Sequence, residues 1–236
     1  MKKLNVAIVG LSFGLEFVPI YLEHPDVESL TLVETNVNLL RTVQERYGIP
    51  DENCFTDLQQ VLDNPNIDAV HLVTPPATHA PLSIKVLESG KHCGMSIDEL
   101  HQVIAARKKS GKNYMFLETT VFQREYFYVK ELMDKGDFGK IQYMSCAHYQ
   151  DMEGWPSYWN GFPPLMHPTH AIGPCLMLLG AYPEKVYAKG SGKIRPELES
   201  NYQSPFAFES ALVSLKDCDV TIELERFLYG VTRSYA

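Results

Sequence analysis

In the first half of the chain, short apolar runs alternate with stretches whose apolar positions recur at helical spacing. Residues 4–9, 30–34 and 69–73 are such runs, as expected of parallel strands buried on both faces. A helix is expected from near Gly14. Residues 37–47 place Leu39, Leu40, Val43 and Tyr47 on one helical face, and Gly48 follows as a stop. Thr56 and Asp57 can cap a helix carrying Leu58, Val61 and Leu62, and residues 81–88 read as a helix ending in Ser89-Gly90. Ser96-Ile97-Asp98-Glu99 fits a capping box that opens a helix through Lys109, and residues 114–117 return as a strand. Repeated strand–helix units of this length predict an α/β doubly wound parallel sheet of the Rossmann type over residues 1–120.

Beyond residue 120 the rhythm changes. A helix over 127–135, a strand over 141–149 and a Trp-, Tyr-, Gly- and Pro-rich loop over 151–164 precede a helix over 169–179. Strands are expected at 185–188, 211–215 and 220–227, so residues 121–236 read as a second, α+β domain. The formal charge of -8 argues against a nucleic-acid partner, which requires clustered Lys and Arg. No apolar run approaches the roughly 18 residues that span a bilayer, so no membrane partner is expected. The apolar stretch after Met1-Lys2-Lys3 reads as a first strand in preference to a signal peptide. Five scattered cysteines form no metal-ligand pattern and read as reduced thiols of a cytoplasmic protein, with no metal.

Gly10-Leu11-Ser12-Phe13-Gly14 sits between the first strand and the first helix, where a dinucleotide fold turns backbone N–H groups and a positive helix end toward a pyrophosphate. Measured against G-x-G-x-x-G, Ser12 replaces the middle glycine and Leu15 the last. Ser12 adds bulk but also a hydroxyl able to donate to phosphate; glycine-rich turns of this kind also occur without a ligand. Glu34 stands 20 positions beyond Gly14 at the end of the second strand, where an acidic residue bonds the adenosine ribose. A carboxylate there repels a 2′-phosphate and favours NAD over NADP; the alternative is a solvated strand-end carboxylate.

Thr74-Pro75-Pro76-Ala77-Thr78-His79 and Leu87-Glu88-Ser89-Gly90-Lys91-His92 resemble segments of the Gfo/Idh/MocA oxidoreductases. So do Val6-Ala7-Ile8-Val9-Gly10, Tyr47-Gly48-Ile49, Asn66-Ile67-Asp68-Ala69-Val70 and Gly136-Asp137-Phe138-Gly139-Lys140-Ile141. The resemblance implies that Thr74 and Pro75 line the nicotinamide side of a cofactor site, with His79 nearby. His79 also fits an ordinary helix-start histidine. Two departures stand out. The family's E-K-P segment, whose lysine assists proton transfer, is absent where His92-Cys93 runs into Gly94-Met95. The resemblance also implies a longer second-domain sheet than the residues up to Ala236 supply, leaving that α+β domain incomplete.

Pro163-Pro164-Leu165-Met166-His167-Pro168-Thr169-His170 opens the helix after the aromatic loop. By resemblance to the family's D-x-x-x-H, His170 matches the histidine near the reacting carbon and Met166 the aspartate. The phrase is closer to a Y-P-T-H variant, with His167 in the tyrosine place. A base of pKa near 6.5 suits removal of an alcohol proton as hydride leaves, which makes His170 the candidate acid/base; a structural histidine at the helix start is the alternative. His167, Tyr149 and Trp155 are candidate substrate contacts, and Tyr158 and Trp159 complete an aromatic set that equally suits packing.

The expected function is an NAD(P)-dependent oxidoreductase acting on a sugar, polyol or related hydroxyl compound. The His-Pro-Thr-His phrase also resembles NAD-dependent glycosidases that oxidise their substrate transiently, and loss of E-K-P leaves room for a dinucleotide-binding protein of low activity. A homo-oligomer through the second-domain sheet is the expected assembly.

Overall fold

The computed structural model describes residues 3–89, 97–115, 117–198, 202, 204–231 and 234–235. The chain divides into two compact units, Met1–Phe116 and Leu117–Ala236.

In the first unit β1 (Leu4–Val9), β2 (Val27–Val33), β3 (Cys54–Phe55) and β4 (Ala69–Leu72) form one parallel sheet in the order β3-β2-β1-β4. Side chains alternate across a strand. Val6, Ile8, Leu30 and Leu32 therefore face one way, onto Leu40 and Val43 of α2 (Val37–Tyr47) and Val18 of α1 (Val18–Glu23). Ala7, Val9 and Val33 face the other way, onto Val61 and Leu62 of α3 (Leu58–Leu62) and Val86 of α4 (Pro76–Glu88). Cover on both sides explains why these strands are continuous apolar runs. The caps are those the residue types require. Asn36 accepts from the Asn38 and Leu39 amides, Asp57 accepts from the Gln59 amide, and Gly48 takes a left-handed conformation at φ +65°.

Several boundaries differ from expectation. Gly14–Phe17 is a 3-10 turn, so α1 starts only at Val18. α4 begins at Pro76, five residues before the expected start, with proline in its first turn where no N–H is needed. β3, a two-residue strand too short to show a period, escaped the pattern. Ser96 and the Gly90–Met95 stretch that bears on the E-K-P segment lie outside the described residues, while α5 (Ile97–Ser110) matches the helix expected there. Tyr114, Met115 and Leu117 belong to no strand; the Tyr114 ring packs instead with Ile84, Leu87, Val103 and Ala106 beside α4 and α5.

The second unit holds α6 (Arg124–Lys135), β5 (Tyr143–Tyr149), α7 (Thr169–Leu179), β6 (Pro183–Lys193), β7 (Phe206–Leu215), β8 (Cys218–Phe227) and β9 (Ser234–Tyr235). Its sheet runs β6-β7-β8-β5-β9, with β5 and β8 parallel and the other pairs antiparallel. One face carries Cys146, Ala211, Val213, Ile222 and Leu224 against Ala171 and Cys175 of α7. The opposite face leaves Tyr143, Tyr187 and Leu212 exposed. β6 and β7 are longer than the apolar pattern indicates, because polar residues such as Lys189, Ser191 and Lys193 continue the ladder opposite Ser210, Phe208 and Phe206. Among the described residues no helix is long and apolar enough to cross a membrane.

Candidate active site

In the first unit the strand order reverses between β1 and β4, and in open α/β sheets ligands bind at the carboxyl ends of the strands at such a point. Both strands deliver candidate residues there. Gly10 has φ +88°, and a Cβ on it would lie 2.4 Å from the Val73 carbonyl oxygen and 3.3 Å from the Thr74 methyl. Only glycine allows this turn to pass so close to the end of β4. Gly14 is the second close approach: a Cβ there would sit 3.0 Å from the Ile8 side chain and 3.4 Å from that of Val73. The role of helix–strand spacer, which the motif assigns to its last glycine, thus falls to Gly14, while Leu15 packs against the core. Ser12 and Phe13 are exposed, so neither side chain fills the turn.

Glu34 reaches back from the end of β2. Its Oε2 accepts the Leu11 amide at 2.8 Å and its Oε1 the Asn36 amide at 2.9 Å. Oε1 also accepts the Thr35 hydroxyl at 3.3 Å, and Oε2 keeps acceptor capacity beyond its bond to Leu11. The carboxylate is therefore tied to the glycine turn and is not a freely solvated strand end. At the end of β4, the Thr78 hydroxyl lies 2.8 Å from that of Thr74, and His79 Nε2 donates to the Thr74 carbonyl. Burial lowers the His79 pKa, with the bond to Thr74 acting in the opposite sense. His79 thus braces the Thr74-Pro75 turn.

In the second unit a histidine cluster forms around the start of α7. His170 Nδ1 and Glu118 Oε1 are 2.6 Å apart. The same Glu118 oxygen accepts the Thr120 amide at 3.1 Å and the Thr120 hydroxyl at 2.7 Å. Burial opposes ionisation of Glu118, but the bonds from His170 and Thr120 outweigh it and hold the carboxyl pKa at about 2. A carboxylate at Nδ1 makes that nitrogen the N–H donor and leaves Nε2 as the basic nitrogen, the tautomer a proton-accepting histidine needs. Gly173, one turn along α7, admits Glu118: a Cβ there would meet Glu118 Cγ at 3.1 Å.

His167 stacks edge-on to His170 with ring centres 4.8 Å apart, and His148, wholly buried on β5, lies 5.3 Å from His170. The aromatic loop reaches this group through Trp159, edge-on to His167 at 5.9 Å; Trp155 in turn packs edge-on to Trp159. Tyr149 is not part of it. By strand alternation Tyr149 faces the opposite side of the sheet from His148, where its hydroxyl donates to Glu225 and its ring packs on Phe227.

Glu118, His148, Glu209 and Arg226 were not singled out from sequence. Alternation along 141–149 with Cys146 inward was the available signal for His148; Glu118 sits 52 residues before His170 with no local pattern to link them. Cys54, Cys146, Cys175 and Cys218 carry no disulfide, and among the described residues no group of three or more His, Cys, Asp or Glu side chains is arranged to hold a metal.

Residues 4–116 match the family model described as an oxidoreductase family with an NAD-binding Rossmann fold. A Shewanella pealeana protein named glycosyl hydrolase family 109 protein is 28% identical over 203 residues, covering 74% of this chain and 44% of that protein. An alpha-N-acetylgalactosaminidase of Shewanella oneidensis matches to the same extent, also 28% over 203 residues. The chain thus spans less than half the length of these curated relatives. Among solved structures, myo-inositol 2-dehydrogenase of Lactobacillus plantarum superposes with a TM-score of 0.82 at 21% identity, covering 99% of this chain and 73% of that one. Scyllo-inositol dehydrogenase of Lactobacillus casei, solved with NAD(H) and scyllo-inositol, gives 0.82 at 20% identity, covering 99% and 72%. Such likeness at low identity establishes a shared fold. Residues 4–116, just under half of the chain, thus match the model of the Gfo/Idh/MocA oxidoreductases, a family built on an NAD-binding Rossmann fold.

Proposed function

We propose that this chain is an NAD-dependent oxidoreductase acting at a hydroxyl-bearing carbon of a polyol or sugar, with His170 as its acid/base. The observation that carries this is the 2.6 Å bond between His170 Nδ1 and an ionised Glu118. It fixes the ring and directs the basic nitrogen away from the carboxylate.

The first unit fits a dinucleotide. Gly10 makes a turn that no larger residue could make, Gly14 packs tightly against Ile8 and Val73 beside it, the loop surface at Ser12 and Phe13 is open, and Glu34 stands at its rim with acceptor capacity left on Oε2. In this reading Gly10, Ser12, Phe13 and Gly14 hold the pyrophosphate, and Glu34 bonds the adenosine ribose and disfavours a 2′-phosphate. Thr74, Pro75 and His79 line the nicotinamide end. NAD supplies the hydride acceptor when bound. His170 Nε2 takes the substrate hydroxyl proton, and Glu118 stabilises the resulting imidazolium. A positioned base of this kind contributes roughly 10²–10⁴ in rate. His167 and Trp155 are the candidate substrate contacts.

A specific observation also favours transient oxidation in the service of glycoside cleavage: sequence relatives that match over 203 residues include glycosyl hydrolase family 109 proteins and an alpha-N-acetylgalactosaminidase. One assay separates the two readings. Purified chain with NAD is offered myo-inositol, scyllo-inositol and p-nitrophenyl α-N-acetylgalactosaminide. NADH accumulation on the inositols selects net oxidation; p-nitrophenol release that depends on NAD, with no NADH build-up, selects the glycosidase. In either case His170→Ala lowers kcat at least 100-fold, in line with the usual contribution of a general base. Wild-type turnover by His170→Ala removes His170 from the mechanism.

The reading includes association of copies through the exposed sheet face that carries Tyr143, Tyr187 and Leu212. Sedimentation equilibrium at micromolar concentration tests it; a monomer throughout would rule it out.

A further inference from the structure

The inward face of the second unit's sheet carries one row of residues that differs from the apolar rows beside it. Gly190, Glu209, Arg226 and His148 lie opposite one another on β6, β7, β8 and β5. Arg226 is fully buried. A buried guanidinium is costly unless its donors are met. Here Nε donates to the His167 carbonyl at 3.0 Å, Nη1 to the carbonyls of His148 at 3.0 Å and Phe227 at 2.8 Å, and Nη2 to Gln150 Oε1 at 3.0 Å. Its cross-strand neighbour Glu209 accepts the Leu165 amide at 2.7 Å. The two side chains grip the short 3-10 turn Pro164–Met166 from either end: Glu209 takes a backbone N–H within it, and Arg226 donates to a carbonyl just past it.

We infer that Glu209 and Arg226 are a pair of positioning residues that set the backbone leading into α7, and through it the placement of His167 and His170. The inference rests on the reading of His170 as acid/base, and it adds to that reading two residues that touch neither substrate nor cofactor. The physical logic is one of shape. In the 164–168 segment Pro164 and Pro168 have no N–H, the Met166 and His167 amides close the 3-10 turn on the Pro163 and Pro164 carbonyls, and the Leu165 amide is met by Glu209 instead. Pro174 further removes the N–H that would bond the His170 carbonyl within α7. Beyond the bonds of the Ala171 and Ile172 amides to the Pro168 carbonyl, the start of α7 is thus held from outside, and side chains on a rigid sheet can hold it to the tolerance an acid/base group requires. Arginine suits the task because its planar fork serves carbonyls in several directions at once, which a lysine cannot.

The test uses the whole chain with Glu209→Ala, Glu209→Gln and Arg226→Lys. Hydrogen exchange is read on a peptide spanning 163–171, NAD affinity by calorimetry, and kcat on whichever of the three probe substrates the wild type turns over. Glu209→Ala is expected to speed exchange at the Leu165 amide at least tenfold and lower kcat at least fivefold, with the NAD Kd within twofold of wild type. Glu209→Gln, which keeps an acceptor oxygen, recovers most of the protection and of kcat. Arg226→Lys, which keeps the charge but not the fork, follows Glu209→Ala. Wild-type exchange at 163–171 in folded Glu209→Ala and Arg226→Lys overturns the inference, as does a kcat loss that Glu209→Gln fails to recover despite restored protection. The exchange measurement stands apart from activity, so a His170→Ala variant with normal turnover would sink the acid/base reading and leave the clasp to be judged on protection alone.

Discussion

Replacing Glu118 by glutamine removes a charge from a carboxylate oxygen that takes three donors, from His170 Nδ1 and from the amide and hydroxyl of Thr120. The folded chain holds this carboxyl at about 2, whereas a free glutamate titrates near about 4.3. Ionisation of Glu118 therefore contributes at most about 3 kcal/mol to folding. A carboxyl whose pKa is lower in the folded state stabilises fully above its unfolded pKa, and the contribution fades as pH falls toward the folded value. The advantage of wild type over Glu118→Gln should thus be complete near pH ~5 and shrink progressively toward pH ~2. The two tryptophans, Trp155 and Trp159, both lie in the second unit, so urea unfolding followed by their emission reports on that unit. We expect a difference of about 1–3 kcal/mol at pH ~5 that falls by more than half at pH ~3. A difference that stays constant over this range would refute the reasoning, because it would mean that glutamine merely packs worse than glutamate. Catalysis gives a parallel expectation: a neutral partner bonds His170 more weakly than a charged one by about 1–2 kcal/mol, so kcat should fall roughly 5- to 30-fold.

Two glycines offer further tests. Gly10→Ala places a Cβ 2.4 Å from the Val73 carbonyl at φ +88°, so it should cost more than about 2 kcal/mol and abolish the calorimetric signal for NAD; unchanged melting and NAD affinity would contradict the close approach. Gly173→Ala gains up to about 1 kcal/mol of helix propensity while crowding Glu118 Cγ at 3.1 Å. Stability should therefore change little while kcat drops several-fold, and a variant with full activity would show that Glu118 has room to yield.

The parts of this molecule that sequence revealed are those governed by neighbours a few residues away. The bounds of α7 could be read directly, because Thr169 begins its helical spacing and Gly180 ends it in a left-handed turn. Asp57 and Gly48 were legible for the same reason. The double cover of β1 and β2 showed as uninterrupted apolar runs. What escaped depends on long-range pairing. The outer half of β6 is Lys, Gly and Ser, strand only because Phe206 to Ala211 pair with it. The glycine that spaces helix from strand is Gly14, which becomes evident once Ile8 and Val73 are seen against it. Glu118 and Arg226 meet the 167–170 segment from 52 and 59 residues away, a relation that no local pattern records. Tyr149 reads from sequence as part of an aromatic substrate set with Trp155, Tyr158 and Trp159, while strand alternation sends it to the other face, onto Glu225 and Phe227.

The bond from the Leu11 amide to Glu34 has a thermodynamic consequence. Made by protein atoms alone, it ties the turn after β1 to the end of β2 and leaves such a loop less ordering to undergo on association. A receptor prepared in this way gives up less conformational freedom when its ligand arrives. Its affinity then depends chiefly on the hydrogen bonds and buried surface that the ligand itself brings.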